Sequence, residues 1–190
     1  MEAFLTSALL VAVAEVGDKT QLLSFALAAR LRRPRPILGG ILAATVLNHA
    51  LAGWAGALLA EVVAPRMLGW IAGVSFIAFG IWALKADSLG EVPRIHRVGA
   101  FATSFAAFFV LEMGDKTQLA TVALAARFDA LGAVVVGTTL GMMIANVPAV
   151  WVGNRLARKI PTNAVRILAA VLFVAMGLLT LAGTLATSDG

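Results

Sequence analysis

Glu15-Val16-Gly17-Asp18-Lys19-Thr20-Gln21-Leu22 returns 97 residues later as Glu112-Met113-Gly114-Asp115-Lys116-Thr117-Gln118-Leu119. Each copy places two acids and a lysine inside a stretch that is otherwise apolar. Upstream of the first copy, Phe4–Ala14 supplies 11 residues, and downstream Leu22–Ala29 supplies eight. Neither flank reaches the roughly 20 residues that a helix needs to cross hydrocarbon. The charged motif is therefore expected at membrane depth. The likeness runs on, with twelve of the sixteen positions from 15 to 30 identical to their partners. The same offset pairs Gly40 with Gly137, Trp54 with Trp151 and Gly80 with Gly177.

Composition agrees with a membrane chain. The 190 residues are 61% hydrophobic and 13% charged, with a mean hydropathy of +0.93. Soluble domains carry roughly 45–50% apolar and about 25% charged residues. Six apolar stretches stand out, Phe4–Ala29, Ile37–Val63, Met67–Leu84, Val98–Ala126, Ala130–Val152 and Val165–Leu185. They are long and do not alternate apolar with polar residues, so helices rather than barrel strands are expected. The first stretch lacks a basic leader and a cleavage site and is read as a mature span, not a signal peptide.

Three spans per repeat place residues 1–97 in one unit and 98–190 in a second, together one transmembrane domain. An odd number of spans makes the two units enter the membrane from opposite sides. The fold expected is all-α, six transmembrane helices in two inverted three-helix repeats, with the site at the repeat interface near the midplane. Alternating the loops across the membrane puts eleven Lys and Arg on one side and only Arg66 and Arg127 on the other. By the positive-inside rule the first side is cytoplasmic and both termini face outward. The net charge of +5 then reflects topology, and no nucleic-acid partner is expected. The bilayer is the expected partner, and oligomeric state is left open.

On a helix, Glu15 and Asp18 would share a face about one turn apart, with Gln21 extending the stripe. Glu112, Asp115 and Gln118 would do the same. Insertion scales assign roughly 2.5–3.5 kcal/mol to each central Asp or Lys, so four acids and two lysines would cost on the order of 15–20 kcal/mol if charged and unpaired. Like charges that close cannot all stay ionised. They must bind a cation, hold protons, or pair with Lys19 and Lys116. A site that exchanges the first two is a cation/proton antiporter. Carboxylates with amide and hydroxyl oxygens suit hard divalent ions. The chain has no cysteine, so a thiolate site is excluded. Asn48 and Asn146 are further candidate oxygen donors, and Met113, Met142 and Met143 candidate soft ones. Gly17 and Gly114 either break the helix around the ion or serve close packing.

The duplicated Glu-x-Gly-Asp-Lys-Thr motif resembles that of a membrane divalent cation/proton exchanger family, long catalogued as uncharacterised. That family includes the Golgi manganese/calcium transporter linked to glycosylation defects, plant chloroplast manganese transporters and bacterial manganese exporters. The resemblance covers essentially the whole chain. It implies Glu15, Asp18, Glu112 and Asp115 as the cation and proton site, with Thr20 and Thr117 assisting. Gln21, Gln118, Asn48 and Asn146 complete the candidate metal set. The compact chain looks like a bacterial member, hence inner membrane. The implied activity is export of Mn²⁺ or Ca²⁺ in exchange for protons, with no cofactor and no enzymatic reaction. A divalent-cation channel and a proton-coupled small-solute exporter are the competing readings. An intramembrane aspartyl protease, with its Gly-x-Gly-Asp motif, is disfavoured because Glu15 and Glu112 stand where its first glycine would be. A buried ion-pair network fixing helix packing is the structural alternative.

Overall fold

A computed structural model describes residues 1–85, 99–152 and 162–186. Among them are eight helices and no strand: α1 (Glu2–Glu15), α2 (Lys19–Leu31), α3 (Pro34–Val62), α4 (Pro65–Ala83), α5 (Ala100–Glu112), α6 (Lys116–Phe128), α7 (Leu131–Val152) and, as α8, Thr162–Ala186. The basic residues Arg94, Arg97, Arg155, Arg158 and Lys159, with His96, lie outside the described residues.

Four helices, α3, α4, α7 and α8, are long and apolar enough to cross a membrane. They coincide with four of the expected spans. The two motif-bearing spans do not form single helices. Phe4–Ala29 is split into α1 and α2, and the described part of Val98–Ala126 into α5 and α6. The cause lies in the motif. Val16 turns extended, Gly17 adopts φ +81°, and Asp18 becomes the N-cap of α2, accepting from the Lys19 N–H at 2.7 Å. A left-handed glycine ends a helix without the Cβ clash, and an aspartate starts the next by capping its free N–H groups. Met113, Gly114 (φ +78°) and Asp115 repeat the break. The expectation that Glu15 and Asp18 share one helical face is therefore corrected. Glu15 is the last residue of α1 and Asp18 precedes α2.

The halves of each broken pair follow one neighbour. Along α7, Gly137 abuts Phe4 and Ser7, Gly141 abuts Ala8 and Val11, and Ala145 and Asn146 meet Gln21 and Ser24 of α2. Along α3, Gly40 abuts Ser104 and Phe105, Asn48 meets Phe109, and Gly56 abuts Ala125 and Ala126 of α6. α4 packs on α8, and Phe76, Phe79 and Phe173 meet edge to face between them.

Beside a buried hydrophobic core, many polar side chains are buried and many large apolar ones exposed, unlike in a soluble domain. Ser7, Glu15, Thr20, Gln21, Ser24, Thr45 and Asn48 are buried, whereas Trp54, Val74, Ile81, Val110, Val136, Trp151 and Leu179 are exposed. An apolar exterior, with polar side chains buried among the hydrophobic core residues, suits hydrocarbon surroundings. Trp54 and Trp151, equivalent by the 97-residue offset, both stand on this exterior.

Candidate cation site

The two helix breaks meet in the interior. Glu15 ends α1 and Glu112 ends α5, and both are fully buried. One oxygen each of Glu15, Glu112 and Asp115 lie within 4.8 Å of one another. Thr20 Oγ1 donates to Glu15 Oε2 at 2.5 Å. Thr117 Oγ1 lies 3.2 Å from Glu112 Oε2 and 3.4 Å from Asp115 Oδ2. The other glutamate oxygens, Glu15 Oε1 and Glu112 Oε1, are buried with no hydrogen-bond partner among the described residues. Buried polar atoms normally have a partner. Two unmatched acceptors beside a third carboxylate can together hold a hard divalent ion or share protons.

Asp18 stands outside that triad and makes an ion pair with Lys116 at 2.9 Å. Lys19 pairs with Asp115 at 2.8 Å. Each lysine thus crosses to the aspartate of the other repeat, a link that spacing within one motif does not reveal. Lys116 is buried, whereas the Lys19 side chain is 21% exposed.

Gln21 and Gln118 brace their breaks. The side-chain oxygen of each accepts from the backbone N–H of the motif glycine, at 2.8 Å from Gly17 and 2.6 Å from Gly114. Gln21 also donates to the Ala145 carbonyl at 2.9 Å. The two asparagines differ. Asn146 accepts from Ser24 Oγ at 2.6 Å and donates to the Met142 carbonyl at 2.9 Å, so its amide is engaged in packing. Asn48 donates to the Phe109 carbonyl at 3.1 Å and keeps a buried Oδ1 with no partner among the described residues. Of the candidate sulfurs, Met113 is exposed, and Met142 receives a contact from Asn146 Nδ2 at 3.1 Å. Ser24 escaped the sequence reading because a serine on an apolar helix carries no motif. Its signal was its equivalence to Thr121, a hydroxyl at the same place in both repeats.

The sequence profile described as "Divalent cation/proton antiporter GDT1" matches residues 3–91 and 100–188. The chain belongs to this family. It is therefore a membrane transporter of cations and not an enzyme. A "Putative manganese exporter" of Vibrio cholerae is 50% identical over 171 residues, covering 90% of this chain and 86% of the relative. GDT1-like protein sll0615 of Synechocystis is 33% identical, covering 91% and 93%. GDT1-like protein 4 of Oryza sativa subsp. indica is 29% identical, covering 93% and 72%. No solved structure matches the transporter's chain.

Proposed function

We propose that this transporter exports Mn²⁺ from the cytoplasm in exchange for protons, with Ca²⁺ as the other candidate cargo. The observation that carries the reading is the meeting of Glu15, Glu112 and Asp115 from the two motif copies, their oxygens within 4.8 Å and buried. Those three, with Asp18, form the exchange site. Thr20, Thr117, Gln21 and Gln118 hold its breaks, and Asn48 and Asn146 flank it. The Vibrio relative's printed name, a manganese exporter, supports Mn²⁺.

Residues 1–97 and 98–190 act as two inverted three-span repeats of one domain. Their reciprocal packing, α1–α2 along α7 and α5–α6 along α3, supports this. The cytoplasm-facing site binds a divalent ion and releases protons. The repeats rock, the ion leaves outward, and protons return on the carboxylates. The protein resides in a bacterial inner membrane with both termini outward.

Metal uptake into everted vesicles with an acid interior tests the exchange. Gradient-dependent Mn²⁺ uptake, lost in Glu15→Gln and Glu112→Gln protein that still inserts, is the expected result. Uptake indifferent to the pH gradient would make the protein a channel. Proton-coupled uptake retained in both variants would remove the acids from the site.

A further inference from the structure

The two motif copies correspond residue by residue, yet their surroundings differ. Leu10 of α1, Phe76 of α4, Leu124 of α6 and Phe173 of α8 belong to one hydrophobic core. Leu23 of α2, Ile41 of α3, Phe108 of α5 and Val150 of α7 belong to another. Under the offset of 97, α1 answers to α5, α2 to α6 and α4 to α8. A symmetric molecule would lay α4 and α8 on α5 and α2 as much as on α6 and α1. Among the described residues, α4 packs on α6 and α8 on α1, with no comparable packing of α4 on α5 or of α8 on α2.

Equivalent side chains record the difference. Val13 and Val16 are half-buried, whereas Val110 and Met113 are 71% and 57% exposed. Ala123 and Ala126 of α6 are buried, whereas Ala26 of α2 is half-buried and Ala29 exposed. Irregular backbone at membrane depth is tolerated only where protein covers it or water reaches it. The first break is covered, since Ala83 of α4 and Ala169 of α8 line the small cleft beside Val16 and Gly17. At the second, Met113 and Gly114 are exposed, with no such cover among the described residues. In the orientation proposed above, α1 and α6 are the outer halves of the broken spans, and α2 and α5 the inner halves. On the outer side Arg127 of α6 also donates to Thr180 of α8 at 3.0 Å.

We propose that α4 and α8 form one moving body that closes the two sides of the site in turn: the structure holds it against α1 and α6, open to the cytoplasm, and outward opening transfers it to α5 and α2. The proposal rests on the exchange reading above and specifies its rocking step. The pair is joined tightly enough to travel as a unit. A Cβ at Gly177 would stand 2.7 Å from the Gly73 carbonyl oxygen, and Phe79 meets Phe173 edge to face. The repeat determines where the pair lands. Ala83 and Ala169 stand beside the first break, so their equivalents, Thr180 and Ala72, come to stand beside the second. Inverted repeats offer two such packings from one set of contacts, and packed interfaces switch between discrete arrangements rather than deform smoothly. Val110 and Met113 are then apolar for the reason that Val13 and Val16 are, because each is covered in one of the two states.

The chain has no cysteine, so introduced thiol pairs can hold either packing. Ala14→Cys with Ala169→Cys joins α1 to α8 across the cleft that both residues line. Leu111→Cys with Ala72→Cys, the equivalent pair, joins α5 to α4 in the exchanged packing alone. A short bis-methanethiosulfonate is applied to proteoliposomes during Mn²⁺/proton exchange, and links within one chain are read by mass spectrometry. Both pairs are expected to link, and either link should abolish exchange, which returns on reduction. Undiminished exchange by the linked Ala14→Cys, Ala169→Cys protein would overturn the proposal. So would a Leu111→Cys, Ala72→Cys protein that exchanges Mn²⁺ without ever linking within one chain, or that links only between two chains. Nitroxides on the exposed Val74 of α4 and Val136 of α7, placed by cysteine substitution, cover the case in which a buried thiol pair impairs folding. Their separation, measured without Mn²⁺, should divide between two populations whose ratio shifts with pH. A single population at acid and neutral pH alike would overturn the proposal as well. No Mn²⁺ exchange by inserted wild-type protein would instead overturn the exchange reading itself.

Discussion

Gly17 and Gly114 decide where the acids lie, because their left-handed backbone turns each motif from a helical stripe into a break. At Gly114 a Cβ would meet no atom within 4 Å. Alanine there is penalised by backbone conformation alone, about 1–2 kcal/mol. Gly114→Ala should lower unfolding stability in detergent by that amount and reduce Mn²⁺ uptake, since Glu112 and Asp115 flank the turn. An unchanged melting curve would mean that the break does not depend on this glycine. A second pair of residues separates the repeats. Ser24 donates to Asn146 of α7, whereas its equivalent Thr121 donates only to the Thr117 carbonyl of its own helix. Ser24→Ala should cost about 1–3 kcal/mol by leaving a buried amide oxygen unmatched, and the near-isosteric Thr121→Val less than about 0.5 kcal/mol. Comparable losses would show that the two repeats are braced alike. The acids were legible in the sequence because charge at membrane depth has few explanations. The asymmetry was not, because it depends on register. By the offset of 97, Asn146 answers to His49 and Asn48 to Ala145, so two asparagines that look like a matched pair occupy different places.

At the scale of helices, the long spans were plain from hydropathy and the breaks were not. A glycine in an apolar run reads the same whether the helix passes through it or stops. The sequence left Gly17 and Gly114 open between a break and close packing, and the signal that decides for the break is the Gly-Asp pair, since glycine commonly follows a helix end and aspartate commonly precedes a helix start. Other glycines serve contact instead. A Cβ at Gly137 would stand 2.6 Å from the Phe4 carbonyl oxygen and 3.0 Å from Ser7 Cβ, so α1 would have to move off α7. Gly132, near the start of the same helix, has nothing within 4 Å. Gly137→Ala should destabilise by roughly 1–3 kcal/mol through overpacking. Gly132→Ala should be neutral or gain up to about 1 kcal/mol from helix propensity. Tryptophan fluorescence melts of the two variants in the same detergent make the comparison. A stable Gly137→Ala would mean that the α1–α7 contact is looser than the structure has it.

For the whole molecule, the open question is how often the chain crosses the bilayer. Four helices are long enough alone, and the 13- and 14-residue helices of the broken pairs are not. If each pair turned back within the membrane, the chain would cross four times. If each pair ran through, it would cross six times. The order of contacts favours running through. From Gly137 to Asn146, α7 meets Phe4, then Ala8 and Val11, then Gln21 and Ser24, always advancing along α1 and into α2. A hairpin would reverse that order. End to end, 14 and 13 residues at 1.5 Å each extend about 40 Å, enough for a hydrocarbon core of about 30 Å. The two topologies differ at three loops. Six crossings put position 129 on the side opposite to positions 88 and 154. Four crossings put 88 and 129 together and 154 opposite. The chain has no cysteine, so Ser88→Cys, Asp129→Cys and Asn154→Cys each carry a single thiol. In intact spheroplasts a membrane-impermeant maleimide should label only the variant at 129. Positions 88 and 154 should label only after permeabilisation, because the cytoplasmic side is the one rich in Lys and Arg. Matching accessibility at 88 and 129 would remove the six-span arrangement, and labelling at 88 and 154 but not 129 would keep it while reversing its orientation.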